Sequence, residues 1–590
     1  MGVAPFSRVG RWRVPIAALA AALFVAACTG TPAASPSGAA SPSASAAAKR
    51  GGGDLLRILY WQAPTILNTH LAQGTKDYDA GGLILEPLAK FGPDGKPVPY
   101  LAAEIPTIEN GGVSKDLTTV TWKLKQNVKW SDGSDFTADD VVFTWKYVTD
   151  EKTNASDADT MQGIKSVEAV DKNTVKLTWD APNPNPYQAF SSGLGNVLQK
   201  KQYEPCIGDK AEQCPDNNKP IGTGPYKLDQ FKPGDVVTYV INDLYRDANK
   251  PFFKQVQIKG VDDATAAGRA ACQSGDSDYS WNMQVEASVM QQIMAGGKCV
   301  INSAVSPNVE RILINRANPN APGDQRSEPT TKHPFFSDLN VRKAFAMAID
   351  RDTMAKQLYG EAGTGTCNIV TAPDSIASQN TKSLDVCKFD AAAAAKLLDD
   401  AGWVKGSDGI RAKGGVKMKV TYNTSTNDLR QKEQAFVKQA WEALGVQVEL
   451  HNTPAKVFFG SDVGNPDTAA HMYYDVEMFT NGSDQPDPTN YLAGWQSSRI
   501  AQKSNNWKGD NYERFNSKEY DDLFAQFKKE TDQTKRNQLA IQMNDLLVKD
   551  VVIIPLVARK FPIAAAAKDL KGLKPTPWDS DLWNIADWSK

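Results

Sequence analysis

The sequence predicts an α/β protein built from at least two lobes. The first reason is length, since a chain of 590 residues exceeds what one hydrophobic core usually supports. The second is a β–α–β pattern, in which alternating apolar segments at 416–420 and 446–450 flank an amphipathic segment at 427–444. Such a unit pairs its strands in parallel through a right-handed crossover. The formal net charge of -2, without any basic tract, argues against nucleic acid as a partner.

The N-terminal residues predict export and anchoring. Three arginines precede the apolar run 14–27, which is too short to span a bilayer as a mature helix. Small residues and then Cys28 follow, a pattern that resembles a bacterial lipobox. We therefore expect a signal peptide at 1–27 and a lipidated Cys28 that holds the protein on the outer face of the cytoplasmic membrane. The alternative is a plain secretory signal. Residues 28–53 are rich in Ala, Ser, Pro and Gly and predict a flexible tether.

The cysteines predict disulfides. The chain has seven, and the six that remain besides Cys28 form an even number in an exported protein. Proximity in the sequence favours three pairs, although other connectivities are open: Cys206 with Cys214, Cys272 with Cys299, and Cys367 with Cys387. A metal site is the alternative, but no CxxC motif occurs and the four histidines lack ligand spacing. We therefore expect no metal and no cofactor.

The segment from Trp122 to Trp145 predicts a strand, a turn and a capped helix. Apolar and lysine residues first alternate as in a half-buried strand. Gly133 then supplies a turn residue that can take positive φ. Thr137, with Asp140 three residues later, forms a capping-box pattern that begins a helix.

Three further segments predict clear elements. The glycine-rich run 221–226 precedes two strand-like segments around 232–235, which predict a hairpin. From Asn340 the apolar residues recur on one helical face. Asp390 caps an alanine-rich helix that Gly402 ends.

Several of these strings resemble one protein family. The Lys-Trp-Ser-Asp-Gly turn with the Phe-Thr-Ala-Asp-Asp cap, the run 221–226, the helix from Asn340 and the segment 512–523 are similar to the dipeptide- and oligopeptide-binding proteins of ABC importers, solute-binding protein family 5. The resemblance implies a two-lobed periplasmic-binding-protein-like fold (type II, large cluster with an extra subdomain). Its hinged lobes, joined by two crossings, would close around a central cleft.

The resemblance also implies the domain boundaries. They are 54–96, 221–318 and 556–590 for lobe I, 97–220 for an extra subdomain of lobe I, and 319–555 for lobe II. Trp578, Trp583 and Trp588 would pack on lobe I.

The resemblance places one ligand-binding residue in the segment Ser-Asp-Gln-Pro-Asp-Pro. Asp484 matches the aspartate that grips the α-ammonium of a bound peptide, and a carboxylate in a closing cleft suits that role. The alternative is that Asp484 and Asp487 only shape a proline-rich turn.

Aromatic residues expected near the cleft leave the ligand class open. Trp61, Trp281 and Trp495 are candidates to wall peptide side-chain pockets, to stack on a sugar ring or to fill the core. Asn282 and Gln284 would suit either polar ligand. Tyr60 and Tyr279 belong to the same group of aromatic residues.

The sequence thus predicts a lipid-anchored, extracytoplasmic solute receptor that acts as a monomer. It would bind short peptides and deliver them to the permease subunits of an ABC importer. An oligosaccharide receptor of the same family and a sensory lipoprotein are the alternatives. No nucleophile-elbow, zinc-protease or phosphate-loop motif occurs, so we assign no catalytic residue and expect no enzyme.

Overall fold

The computed structural model describes residues 49–460, 462, 464–483 and 485–590. The expected signal peptide, the expected lipidation site Cys28 and the tether up to residue 48 lie outside these residues. Among the described residues, no helix has the length and apolar character needed to cross a bilayer. The fold begins before residue 53, where the tether was expected to end, because Gly51 donates a 3.1 Å backbone hydrogen bond to Pro251.

The strands are numbered in chain order. They are β1 (Gly53–Tyr60), β2 (Ala89–Phe91), β3 (Pro97–Pro99), β4 (Thr119–Lys123), β5 (Ile164–Asp171), β6 (Thr174–Trp179), β7 (Tyr226–Lys232), β8 (Val236–Ile241), β9 (Phe253–Gly260), β10 (Tyr279–Trp281), β11 (Cys299–Ile314), β12 (Gly363–Gly365), β13 (Val404–Lys405), β14 (Arg411–Lys413), β15 (Val416–Lys417), β16 (Lys419–Ser425), β17 (Gln447–Thr453), β18 (Val476–Asn481) and β19 (Ile553–Ala567).

The α-helices are numbered in the same way. They are α1 (Thr75–Gly81), α2 (Ala138–Thr149), α3 (Lys200–Tyr203), α4 (Ala264–Arg269), α5 (Ala287–Met294), α6 (Leu339–Met347), α7 (Arg351–Met354), α8 (Ala391–Asp400), α9 (Asp428–Ala443), α10 (Ala455–Phe458), α11 (Thr489–Ala493), α12 (Lys518–Lys529) and α13 (Gln533–Lys549).

Within the described residues, a mixed 11-stranded sheet runs through the molecule. Its order is β17-β16-β18-β11-β19-β10-β1-β9-β8-β7, and β12 also pairs with β19. The pairs β1–β9, β1–β10, β16–β17 and β16–β18 are parallel. The long central strands β11 and β19 are antiparallel to each other. Smaller sheets are formed by β4-β6-β5, by β13-β14-β15 and by β2-β3.

Strands β11 and β19 link two hydrophobic cores. At one end they contribute Cys299 and Ala565 to the core that packs on β1. At the other end they contribute Ile312 and Ile554 to the core that packs on β16 and α9. Their pairing register shifts twice between Ser303 and Val309, and bulges of this kind bend a strand pair. These strands are therefore the two crossings between the lobes of this α/β fold.

The β–α–β prediction is confirmed. Strands β16 and β17 pair in parallel, and α9 lies between them with Asn427 as its N-cap. The first strand begins at Lys419 rather than 416, because Val416 and Lys417 pair with β14 in a separate small sheet.

The capped helix after the first tryptophan segment is confirmed, but the predicted length of its strand is wrong. Thr137 and Asp140 form the capping box that begins α2, and Gly133 has φ 89°. Strand β4 ends at Lys123, where its neighbour β6 begins at Thr174, so residues further along have no partner strand. Alternation in the sequence continues past that point because the following side chains still reach a core.

The other predicted elements form as expected. β7 and β8 make the hairpin, α6 begins one residue before Asn340, and Asp390 caps α8. In the glycine-rich run, a Cβ on Gly222 would lie 1.9 Å from the carbonyl oxygen of Ile84. Any larger side chain at position 222 would collide with this backbone oxygen, so only glycine fits there.

The region between β1 and β7 has a core of its own. Its members extend along the chain from Leu85 to Cys214 and include Trp122 and Trp130. Among the C-terminal tryptophans, Trp588 packs against Tyr279 of the first-lobe core with ring centroids 5.1 Å apart. Trp578 instead packs in a small cluster with Phe91 and Ala372.

Candidate ligand-binding site

A cavity of about 970 Å³ lies between the two cores. One wall comes from residues at and after the ends of β1 and β10, and a second wall comes from the end of β18 and the residues after it. The crossings β11 and β19 contribute Arg311 and Arg559 to its floor. This volume is at the upper end of the range of small-molecule sites, so the cavity suits a solute rather than a macromolecule.

Two tryptophans from the first lobe form an aromatic wall. The rings of Trp61 and Trp281 are nearly parallel, with centroids 6.0 Å apart. Trp281 also stacks on Tyr60 at 4.4 Å, its register partner across β1 and β10. Tyr60 does not reach the cavity, because its hydroxyl group donates a 2.7 Å hydrogen bond to buried Asp79. The parallel strand ends therefore hold the wall in place from behind.

Two buried carboxyl groups lie behind this wall. Burial raises the pKa of Asp79 to about 6, although hydrogen bonds from Ser580 and Tyr60 oppose the shift. Burial raises the pKa of Asp581 well above its usual value, and the charge of Asp79 adds to the effect while the indole of Trp281 opposes it. Burial and the mutual repulsion of the two groups therefore oppose the presence of two negative charges behind the wall.

A buried ionic network crosses the floor of the cavity from one lobe to the other. Glu310 accepts a 2.9 Å hydrogen bond from Nε of Arg430 at the start of α9, and Nη1 of Arg559 lies 3.5 Å from its other oxygen. Nη2 of Arg559 donates at 3.3 Å to Asn282. Burial opposes ionisation of Glu310, but the two arginines hold its pKa below the usual value. The network thus connects the first lobe, a crossing strand and the second lobe.

Gln284 joins the same network from the first lobe. With its amide oxygen turned toward Arg559, it accepts a 2.9 Å hydrogen bond from Nη2. Both amides that the sequence suggested as ligand contacts therefore bind this arginine as well as line the cavity.

A second ionic contact joins the lobes at the edge of the cavity. Nη1 of Arg499 donates a 2.6 Å hydrogen bond to Asp159, which lies in the region between β1 and β7. Nη2 donates at 2.6 Å to Asp510 on its own side. The side chains of Arg499 and Asp159 are 24% and 23% exposed. Nearby, Lys528 donates to Gln162 at 3.1 Å.

Comparison with known proteins decides the family. The family model described as "Bacterial extracellular solute-binding proteins, family 5 Middle" matches residues 96–503. The chain belongs to this family.

Two curated relatives extend the match beyond the middle region. The family 5 protein is 25% identical over 528 residues to the dipeptide-binding protein DppE of Bacillus subtilis (strain 168), which covers 86% of this chain and 87% of the relative. It is 26% identical over 577 residues to the oligopeptide-binding protein AppA of the same organism, with 96% of each chain covered.

Solved structures share the two-lobed fold. AppA from Bacillus subtilis in complex with a nonapeptide has a TM-score of 0.77 at 23% identity, over 92% of this chain and 99% of that one. NikZ from Campylobacter jejuni in complex with Ni(L-His) has a TM-score of 0.76 at 24% identity, over 91% and 99%. Membership of a solute-binding family assigns a binding role rather than an enzymatic one.

The structure brings most of the candidate site residues of this family 5 protein together. Trp61, Trp281, Asn282 and Trp495 all line the one large cavity found in the described part of the chain. Asp484 lies outside the described residues, although Ser483 and Gln485 on either side of it line the same cavity. The roles of these residues toward a ligand stay predictions.

Some residues near the candidates have structural positions instead. Tyr279 is fully buried and packs on Trp588 rather than facing the cavity. Asp487 accepts a 2.9 Å hydrogen bond from the backbone of Thr489 at the start of α11. It also accepts a 2.8 Å hydrogen bond from Arg536. Both oxygens of Asp487 therefore have partners within the protein, one in the turn before α11 and one in an ion pair with Arg536.

The structure contains three disulfides, which are Cys206–Cys214, Cys272–Cys299 and Cys367–Cys387. Each closes a local segment, with sequence separations of 8, 27 and 20 residues. Within the described residues, the single cluster of potential metal ligands is Cys206, Cys214 and Asp216. Its two sulfur atoms are bonded to each other, so it is not a metal site.

Sequence reasoning missed the charged residues of the cavity floor. Glu310 and Arg311 are adjacent in the apolar run Val-Glu-Arg-Ile-Leu-Ile of β11, and both are nearly fully buried. Two charges inside a strand that is otherwise apolar were the available signal, because buried charges need specific partners.

Proposed function

We propose that this family 5 protein is the lipid-anchored, extracytoplasmic solute-binding component of an ABC importer. It binds short peptides between its lobes and delivers them to the permease. The observation that carries the proposal is the cavity of about 970 Å³ whose walls come from both lobes and combine aromatic with polar side chains. The relatives DppE and AppA, which are named for dipeptide and oligopeptide binding, suggest peptides as the class of solute.

The chemistry of the cavity suits a peptide backbone. Asn282 and Gln284 offer amide groups on one wall, and Trp61, Trp281 and Trp495 also line the cavity. Ligand pockets commonly combine aromatic walls with a few placed polar groups. Asp484 is proposed to bind the α-ammonium group through charge-assisted hydrogen bonds.

An oligosaccharide receptor is the alternative, and the packing of the first wall favours peptides over it. Sugar recognition needs an open aromatic face on which a ring can stack. Trp61 and Trp281 are only 5% and 2% exposed, because they stack on each other and Trp281 also stacks on Tyr60. Little ring surface is therefore left for a sugar.

The proposed mechanism is a population shift between open and closed forms. The lobes are proposed to be 54–96, 221–318 and 556–590 against 319–555, with 97–220 as the extra subdomain of the first. A ligand that contacts both lobes binds the closed form better and so favours it. The pairing register of β11 and β19 shifts in the segment where both strands pass from one lobe to the other. These strands are therefore suited to act as the hinge.

The test uses the full chain isolated from membranes of an expressing bacterium. Ligands that copurify are released by unfolding and identified by mass spectrometry, and calorimetry then measures the affinity for synthetic peptides. Matched oligosaccharides and histidine with Ni²⁺ serve as competing probes, since NikZ was solved with Ni(L-His). We expect peptides of a few residues to copurify and to bind. Copurified sugars, with no affinity for any peptide, would contradict the proposal.

A further inference from the structure

Arg311 occupies a special position on the crossing strand β11. It is 4% exposed and lines the cavity, whereas its neighbour Glu310 does not. The register of β11 against β19 shifts between these two residues. Since alternate residues of a strand point to opposite faces and a bulge re-aims side chains, Glu310 meets the ionic network while Arg311 meets the wall that follows β18.

Few protein groups accept hydrogen bonds from the guanidinium group of Arg311. Among the described residues it donates one hydrogen bond, from Nη1 to the hydroxyl oxygen of Tyr491 at 2.5 Å. Its Nε atom is buried and has no hydrogen-bond partner there. An arginine side chain has five N–H donors, so most of the hydrogen-bonding capacity of this one is unused.

The other arginines of the cavity all have a carboxylate partner. Arg430 and Arg559 share Glu310, and Arg499 binds Asp159 and Asp510. No carboxylate of the described residues lies within 4.0 Å of Arg311. A buried cation without a close counter-charge is costly, so its persistence in a ligand cavity points to a charge that the ligand brings.

Three aromatic rings surround this cation. The guanidinium carbon lies 5.3 Å from the ring centre of Trp495, 5.5 Å from Phe479 and 5.6 Å from Tyr491. These cation–π contacts hold the guanidinium group in place. They also exclude water, and charge-assisted hydrogen bonds are stronger where the local dielectric constant is low.

Glu513 is the nearby carboxyl group that could compensate the charge from within the protein. It is fully buried and forms no ion pair within 4.0 Å with any residue that the structure describes. Burial raises the pKa of Glu513 above its usual value, against the attraction of Arg311. Because no oxygen of Glu513 lies within 4.0 Å of the Arg311 guanidinium group, this carboxyl group does not form an ion pair with it.

We propose that Arg311, within the ring of Phe479, Tyr491 and Trp495, is a subsite for a carboxylate group of the bound solute. The inference rests on the proposed function and narrows it to ligands that carry such a group. In a peptide, the carboxylate is either the C-terminal group or an acidic side chain, and both would approach the same donors.

Two synthetic libraries of random tetrapeptides distinguish these sources. One library has free C-terminal acids and the other has C-terminal amides. Each is incubated with the full chain, and the retained peptides are measured by mass spectrometry. If the C-terminus is the ligand group, acids should be retained about thirtyfold or more over amides, the factor that corresponds to losing one charged partner. If a side chain supplies the group, Asp and Glu should be enriched to this extent in both libraries.

Variants show whether the preference depends on Arg311. Arg311→Gln should abolish it, and Arg311→Lys should keep it in weaker form because the charge remains without the planar fork. Arg57→Gln is the charge-matched control, since Arg57 lies outside the cavity with its side chain 51% exposed. The comparison of acid peptides with amide peptides uses the unmodified protein, so it stays informative even if a variant fails to fold.

The outcomes separate this inference from the proposed function. If peptides bind but show no carboxylate preference, or if Arg311→Gln keeps the preference, the subsite is overturned and peptide binding stands. If no peptide binds, peptide binding fails, and titration with benzoate against benzamide decides the subsite by tryptophan fluorescence. Quenching by benzoate alone that is lost in Arg311→Gln supports it, and equal responses to the two compounds overturn it.

Discussion

The contact between Arg499 and Asp159 offers the sharpest test of closure between the lobes. Asp159→Asn keeps the shape of the side chain but removes the negative charge that Arg499 meets across the cavity at 2.6 Å. In the proposed mechanism the closed arrangement brings these residues together, so we expect the variant to destabilise that arrangement without affecting either core.

The expected magnitude follows from burial and from the second partner of Arg499. About three quarters of each side chain is buried, which lies between an exposed pair worth up to about 1 kcal/mol and a buried pair whose disruption costs about 3–5 kcal/mol. Arg499 keeps Asp510 at 2.6 Å, so we take the lower part of this range, about 1.4 kcal/mol. Since apparent affinity falls with the population of the competent form, this corresponds to about tenfold weaker ligand binding.

Calorimetry with a peptide identified from the copurified ligands measures this effect, and small-angle scattering reports the closed fraction. Asp510→Asn is the matched control, because it removes the partner of Arg499 within one lobe and leaves the contact between lobes. The control should weaken binding less than Asp159→Asn does. Equal affinities for Asp159→Asn and the unmodified protein, with superimposable scattering of the bound forms, would refute a role of this contact in closure.

Three further predictions concern the anchor, the proposed ammonium site and the buried carboxyl groups. Cys28→Ser should release the protein from membranes into the soluble fraction, and continued membrane association would contradict the lipid anchor. Asp484→Ala should weaken peptide binding by about tenfold or more, as loss of one charged partner does; unchanged calorimetric affinity would remove Asp484 from the site. Asp581→Asn should stabilise the protein at neutral pH, because the folded state raises the pKa of this carboxyl group well above its usual value. A carboxyl group with a raised pKa costs stability as the pH rises above its unfolded-state value. The advantage in thermal unfolding should therefore be absent near about pH 4 and grow toward about pH 7, and a uniform loss of stability would contradict this origin.

The elements that the sequence predicted correctly are those with local signals. The capping box of Thr137 and Asp140, the cap at Asp390 and the β–α–β unit are all encoded within a few residues of one another. The end of β4 was missed because it depends on where β6 begins, about fifty residues further along the chain. The strand order of the large sheet was not predicted for the same reason, since β10 and β11 both pair with β19 from distant parts of the sequence.

The candidate site shows the same division between local and distant information. Trp61 and Trp281 could be placed near the cavity because the family resemblance puts them there, and in the structure the parallel ends of β1 and β10 bring them to one edge of the sheet. Nothing near β11 in the sequence indicates the partner of Glu310, because Arg430 lies 120 residues away. The charged floor of the cavity is therefore a property of the tertiary structure.

The adjacent charges of β11 suggest how one strand serves two purposes. Glu310 is bound by Arg430 of the second lobe and by Arg559 of the other crossing strand, so its negative charge is compensated within the protein. Among the residues that the structure describes, Arg311 meets aromatic rings and one hydroxyl group, so we infer that its charge is available to a solute. Because both residues belong to a strand that crosses between the lobes, a carboxylate bound at Arg311 would sit directly on the hinge. In the proposed mechanism this strand segment bends as the lobes close, so a ligand group bound there would favour closure directly.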